Sequence, residues 1–221
     1  MNELELWQRL LPLAVGAAAS PLLLLGQLAQ LSAGGGRLWA LRRSLAYLLG
    51  ALTVVLCWTV AAGWVSQRLP LHQGGQDPVA AAVQLVLALS LVAAALQLWR
   101  RSQPPTIVTP TGGSGVLSPL LQGLSLMAIN LTSLMLFLPA AQLVGRSGQL
   151  WPERVLAWSA LDLITLLPVW LPLAVVVVSG RAGERWLDLG GRWIAEHRRA
   201  IESGVAAGFA LFLACRGLGD L

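Results

Sequence analysis

Lysine is absent from this chain, so all 15 basic residues are arginine. Charge of any kind is scarce. Only 11% of the 221 residues are charged, where a soluble domain carries about a quarter. That shortage excludes an ordinary water-soluble globule. Cysteine is nearly missing too, with Cys57 and Cys215 each inside an apolar run. Without a CxxC pair or a Cys/His metal spacing, disulfide, zinc and haem readings lack support, and both cysteines are expected to be small buried apolar residues. The two histidines, His72 and His197, fall in connecting segments. No nucleophile–base pair, phosphate loop or metal-ligand cluster is visible, so an enzyme is not expected, nor is a cofactor.

What the chain does have is long apolar stretches. Hydrophobic residues make up 56% of it, and the mean hydropathy is +0.70. Runs of about 20 apolar residues suit the thickness of a bilayer. Hydrocarbon leaves the backbone two ways to satisfy itself, a helix bundle or a closed barrel. Leu- and Ala-rich runs without period-2 alternation choose helices. The runs predict spans at 10–31, 44–65, 79–99, 117–144, 155–179 and 200–216. The N-terminal run resembles a signal peptide only superficially. Its start, Met-Asn-Glu-Leu-Glu, is acidic, and the run continues past the small residues, so it is read as a retained helix.

The net charge of +5 is topological rather than a nucleic-acid signature, so no nucleic acid is expected as a partner. The first, third and fifth loops hold ten arginines (Arg37, Arg42, Arg43, Arg100, Arg101, Arg181, Arg185, Arg192, Arg198 and Arg199). The second and fourth hold Arg68, Arg146 and Arg154, beside Asp77 and Glu153. By the positive-inside rule the odd loops are cytoplasmic and both termini lie outside. The expectation is a multi-pass protein of the bacterial inner (plasma) membrane.

One segment, SQPPTIVTPTGGSG, is of low complexity and reads as a flexible cytoplasmic linker over 102–116. It divides the chain into 1–101 and 117–221, three spans each. An odd number of spans inverts the second half relative to the first, so the expected fold is an all-α membrane protein of six transmembrane helices in two inverted three-helix repeats. Within the second half, Trp186, Leu189, Trp193 and Ile194 recur at helical spacing among charges. They predict an interfacial amphipathic helix at about 184–198. Gly204 and Gly208 form a GxxxG suited to close helix packing, as between the protomers of a homodimer.

Prolines inside membrane helices free backbone carbonyls, which must then line a cavity or be covered by protein. Here they fall in the first run (Pro12, Pro21), the fourth (Pro119, Pro139) and the fifth (Pro168, Pro172). First and fourth are equivalent positions of the two halves. Ser20 and Pro21 follow a small-residue stretch, and Asn130 stands near the middle of the fourth run with Thr132 and Ser133 beside it. Ser20, Pro21, Asn130, Thr132 and Ser133 are therefore the candidate substrate path, with simple packing kinks and interhelical glue as the alternatives. Asp162 is the one acid well inside an apolar run, a candidate proton or cation carrier. A packing role with a hydroxyl such as Ser159 is the alternative.

The stretch LPLAVGAAASPLLLL followed by GRLWALRRSLAYLLG resembles the start of the LysE superfamily of small exporters. Gly123 to Asn130, LLPVWLP at 166–172 and the ending WIAEHRRAI before a Gly-rich helix look most like its GAP family, the sulfolipid-1-addressing or Sap group. The resemblance covers nearly the whole chain through short apolar motifs. It implies a LysE-like six-helix exporter, with membrane lipids as surroundings and a lipid, a glycolipid or another small molecule as substrate. A metal-cation exporter of the same superfamily, or a non-transporting scaffold subunit, are the alternatives. Relatives often carry Asn-Pro at the fourth-helix break. Here Leu131 follows Asn130, so the resemblance leaves the polar residue without a kink. Thiol–disulfide carriers of the superfamily place a cysteine after Ser-Pro, whereas this chain has Leu22 there.

The arginine asymmetry yields a direct test of topology. A single cysteine at Gly113, in a cysteine-free background, should resist a membrane-impermeant maleimide in intact cells and react after lysis. Ready labelling in intact cells would refute the assignment.

Overall fold

The computed structural model describes residues 2–32, 36–68 and 115–219, and these are helical throughout apart from short turns. In chain order the helices are α1 (Glu3–Ala18), α2 (Pro21–Leu31), α3 (Arg37–Arg68), α4 (Leu117–Ala128), α5 (Leu131–Gly145), α6 (Trp151–Thr165) and α7 (Leu167–Gly219). The third expected span, 79–99, and nearly all of the linker lie outside the described residues.

Helix ends follow from local chemistry. Asn2 caps α1 by accepting from the Glu5 amide at 2.8 Å, and Glu3 and Glu5 in the first turn complement the helix dipole. Pro152 opens α6, where its missing N–H is no loss. The Glu153 carboxylate accepts from the Leu150 amide at 3.2 Å. Within α7 the chain turns at Gly180, whose φ of 56° only glycine adopts without strain.

Among the described residues α3 alone is long and apolar enough to cross a bilayer as one helix. Three further candidates are bent pairs: α1 with α2 at 53°, α4 with α5 at 69°, and α6 with the Leu167–Gly180 part of α7 at 71°. The first and fourth apolar runs are thus interrupted, and so is the fifth, where the prolines alone gave no position for the break. Beyond Gly180, residues 181–219 form one helix, so the segment at 184–198 continues without interruption into the run at 200–216. Leu189 and Trp193 are exposed on it.

The bundle is apolar on its outer face as well as in its core. α3 buries Arg43, Ser44, Tyr47, Ala51, Val55 and Ser66, and turns Leu45, Leu49, Leu56, Val60 and Trp64 outward. Such an outward apolar stripe is tolerable where the solvent is lipid. Cys57 shares the outer face. The expectation that it is buried is corrected, because in lipid a small apolar side chain gains nothing from going inside.

A second correction concerns Arg37, Arg42 and Arg43, expected in a loop. α3 begins at Arg37, and Arg43 is buried at 5% exposure. Arg37 reaches across to the carbonyls of Val176 (3.2 Å) and Val177 (3.4 Å). Those carbonyls lie in the last turn before Gly180, where a cation suits both the open acceptors and the dipole.

Among the described helices the closest backbone approach is between α3 and α4. A Cβ on Gly50 would collide with the Leu120 carbonyl oxygen and lie 2.9 Å from the Leu124 nitrogen. One on Gly123 would collide with the Tyr47 carbonyl oxygen and lie 3.1 Å from the Tyr47 Cα. Both obstacles are backbone, which cannot step aside, so the two glycines bring the helix axes together. Tyr47, fully buried, extends the contact to α2 by donating to the Leu23 carbonyl at 3.2 Å, its ring end filling the space Gly26 leaves. A Cβ on Gly204 or Gly208, in contrast, would meet nothing within 4 Å among the described residues.

Gly50→Ala and Gly123→Ala should each destabilise the protein by about 1–3 kcal/mol, the usual cost of overpacking. Gly63→Ala on the same helix meets only the Trp158 ring at 3.4 Å. It should be neutral or stabilising, since alanine is the better helix former by about 1 kcal/mol. Melting in detergent solution reads the contrast, and equal effects at all three sites would refute the backbone-contact account.

Candidate substrate path

Pro21 has no N–H, so the carbonyl of Ala17, four residues earlier, loses its helical donor. Two local events follow. Ala19 takes φ −74°, ψ 66°, with the Ser20 amide bonded to the Ala18 carbonyl at 2.7 Å, the geometry of an inverse γ-turn. Ser20 then caps α2, accepting from the Leu23 amide at 3.4 Å. The abandoned Ala17 carbonyl accepts from the Ser133 hydroxyl of α5 at 2.7 Å.

The second break is built alike. Asn130 has φ −78°, ψ 75°, and the Leu131 amide bonds the Ile129 carbonyl at 2.9 Å, again an inverse γ-turn. The Asn130 side chain caps α5 by accepting from the Ser133 amide at 3.3 Å. The expectation of a polar residue without a kink is therefore corrected. The kink is present and wider than the one at Pro21, and the Leu131 N–H, which a proline would lack, makes the turn's own bond.

The two breaks touch. Asn130 Nδ2 donates to Ser20 Oγ and to Ser133 Oγ, both at 2.8 Å. Ser20 is 7% and Ser133 2% exposed, and Pro21 is buried at the start of α2. Four of the five candidate residues are thus at one point where α1, α2, α4 and α5 end or begin. Thr132 is half-buried and takes no part in these hydrogen bonds.

Asp162 stands apart from this cluster. It is 8% exposed on α6 and accepts from Thr59 Oγ1 of α3 at 2.7 Å. Ser159 is exposed and is not its partner. A helical turn on, Thr165 is fully buried, and its hydroxyl has no partner among the described residues. The break after Thr165 frees the Leu163 carbonyl, which the Trp170 indole N–H satisfies at 2.9 Å.

A further polar group escaped sequence reasoning. Gln27 and Gln30 of α2, Arg43 and Ser44 of α3, and Gln122 of α4 meet between three helices. Arg43 donates to Gln30 Oε1 through Nε (3.2 Å) and Nη2 (3.0 Å). Gln30 Nε2 donates to Gln122 Oε1 at 2.7 Å, and Gln27 Nε2 bonds the Ser44 hydroxyl. The available signal was the i, i+3 spacing of the two glutamines within a leucine-rich half-helix. Among the described residues no group of three His, Cys, Asp or Glu side chains lies close enough to hold a metal ion.

A search of the curated proteins and a search of the solved structures each return no match. The family SfLAP, described as Sap, sulfolipid-1-addressing protein, matches residues 10–219. That range takes in both helix breaks, Asp162 and the polar group on α2–α4. This apolar, helical membrane chain belongs to the Sap (sulfolipid-1-addressing protein) family.

Proposed function

We propose that the protein is a LysE-type membrane exporter whose substrate path runs between the two helix breaks, and that it moves an amphiphile with an anionic or hydroxyl-rich headgroup, such as a sulfated glycolipid. The observation that carries this reading is the 2.8 Å bond between Asn130 and Ser20, which joins two broken helices at matching turns. Interrupted helices facing one another are how helical transporters form sites away from water. Each break offers the positive N-terminus of one half-helix and the carbonyl end of another, together with amide and hydroxyl side chains. Such a surface can hold acceptor and donor groups of a headgroup alike. The family's name agrees with a lipid bearing sulfate.

Two inverted repeats fit most of this packing, the α3–α5 contact, without a comparable α2–α6 one, being the exception. Exchange of the halves turns α1 into α4, α2 into α5 and α3 into α6. Contacts α1–α5 and α2–α4, α3–α4 and α1–α6, and α2–α3 and α5–α6 are then exchange partners, and all six pairs touch. In this conformation the Asn130–Ser20 bond closes the centre. In our reading both termini lie outside the bacterial inner membrane, the 102–116 linker is cytoplasmic, and the 184–198 segment rides at the interface. The open face at Gly204 and Gly208 suits a second protomer.

The experiment is movement of a headgroup-labelled sulfated glycolipid across vesicles containing the full-length protein. Asn130→Leu should slow it roughly threefold or more, the factor that about 0.6 kcal/mol of interhelical hydrogen bonding gives, while Ser125→Leu, on the exposed side of α4, should not. Asp162→Asn should abolish movement with expression and melting nearly unchanged. Full activity in Asn130→Leu would remove the breaks from the path.

A further inference from the structure

We infer that Asp162 binds and releases one proton, with Thr59 as the positioning residue that satisfies the carboxyl in both states, so that the ion coupled to this chain's cycle is H⁺. The inference deepens the transport reading and rests on it for its purpose, although the titration itself stands independently.

The argument begins with a single hydrogen atom. Thr59 Oγ1 lies 2.7 Å from Asp162 Oδ1 and 3.1 Å from the Val55 carbonyl of its own helix. A hydroxyl has one hydrogen to give, so it serves one of these acceptors at a time. When Asp162 is ionised the carboxylate can only accept, and the hydroxyl turns toward it. The Val55 carbonyl then keeps its ordinary helical donor. When Asp162 is protonated it donates to Thr59 Oγ1, whose own hydrogen turns to Val55. The proton that arrives on the carboxyl comes from water and returns to water, and no other group changes charge. Rotation about one C–O bond accommodates both states without moving a helix.

The surroundings favour a proton over a metal ion. Hard cations gather about six oxygens, usually with more than one carboxylate. Among the described residues Asp162 has Thr59 as its one hydrogen-bond partner. The Thr165 hydroxyl, buried three residues further along α6, has no hydrogen-bond partner among the described residues. Among the described residues no charged side chain holds the carboxylate. On α1, Glu5 and Arg9 pair with each other at 2.8 Å. On α3, Cys57 faces outward and the arginines lie about two turns or more from Thr59. α5 has no titratable residue, nor has α7 before Arg181. Glu153 and Arg154 of α6 stand about two turns from Asp162.

Infrared difference spectra of the full-length protein in lipid vesicles, taken across a pH series, test this without a known substrate. One carboxylic-acid carbonyl band should titrate, vanish in Asp162→Asn, and ignore exchange of Na⁺ for K⁺ at constant pH. Thr59→Val should displace the band and move its midpoint by on the order of one pH unit, and Thr59→Ser should restore both. A midpoint that follows Na⁺, a band indifferent to Asp162→Asn, or a band unmoved by Thr59→Val in folded protein overturns the inference. Should Thr59→Val not fold, the Asp162→Asn and Na⁺ arms decide alone. A titrating band in protein that moves no lipid counts against the transport reading, whereas lipid movement without the band counts against the proton.

Discussion

A backbone carbonyl freed inside hydrocarbon has to be given a donor, and the arrangement of this bundle depends on how that demand is met. Without water to fall back on, each unsatisfied group costs several kcal/mol. The carbonyl lost to Pro21 is taken by Ser133 from another helix. The Leu163 carbonyl, freed after α6, is taken by the Trp170 indole of the next half-helix. Those before Gly180 are taken by Arg37 of α3. Each repair comes from a named side chain, and two of the three cross between helices. The breaks are thus fastened to particular neighbours, and those fastenings set which helices can be adjacent.

The same demand explains why polar residues gather in three places rather than along one seam. Ser20, Asn130 and Ser133 sit where two helices stop and start. Gln27, Gln30, Arg43, Ser44 and Gln122 sit where three helices meet. Thr59 and Asp162 join α3 to α6 alone. Between these points the contacts are mostly apolar, with aromatic rings such as Trp58 against Phe137, and at Gly50 and Gly123 the backbones themselves touch. Polar clusters separated by close-packed stretches give every helix several distinct partners at defined heights, which fixes its register.

Much of this was legible in the sequence, for physical reasons that can be named. A serine followed by proline after a run of small residues signals a break and its cap together, and Asn130 amid apolar residues has to find a partner. Asp162 stood out as the one acid in hydrocarbon. What could not be read was pairing across distance: nothing near Asp162 points to Thr59, 103 residues away. Proline was also the wrong sign to trust at the fourth helix. An inverse γ-turn closed by the Leu131 amide and capped by the Asn130 amide bends the chain by 69° without one. Arg43 was misjudged because charge near the end of an apolar run ordinarily marks a loop, whereas here α3 starts six residues earlier and glutamines accept the guanidinium inside. The third span and the linker fall outside the described residues.

These contacts also differ in how much they resist change. Interhelical hydrogen bonds between side chains in membranes average about 0.6 kcal/mol, because the separated groups find other partners. The Asn130–Ser20 and Gln30–Gln122 contacts are of that kind. The α3–α4 contact is not, since sliding one backbone past another at Gly50 and Gly123 means passing through steric overlap. A bundle built this way divides into a rigid pair, α3 with α4, and half-helices α1, α2 and α5 hinged at turns and fastened to their neighbours by side-chain polar bonds. On the export reading proposed above, that division would be useful: the segments bearing the proposed path are the ones whose polar fastenings cost least to release, while the pair behind them is held by backbone contact.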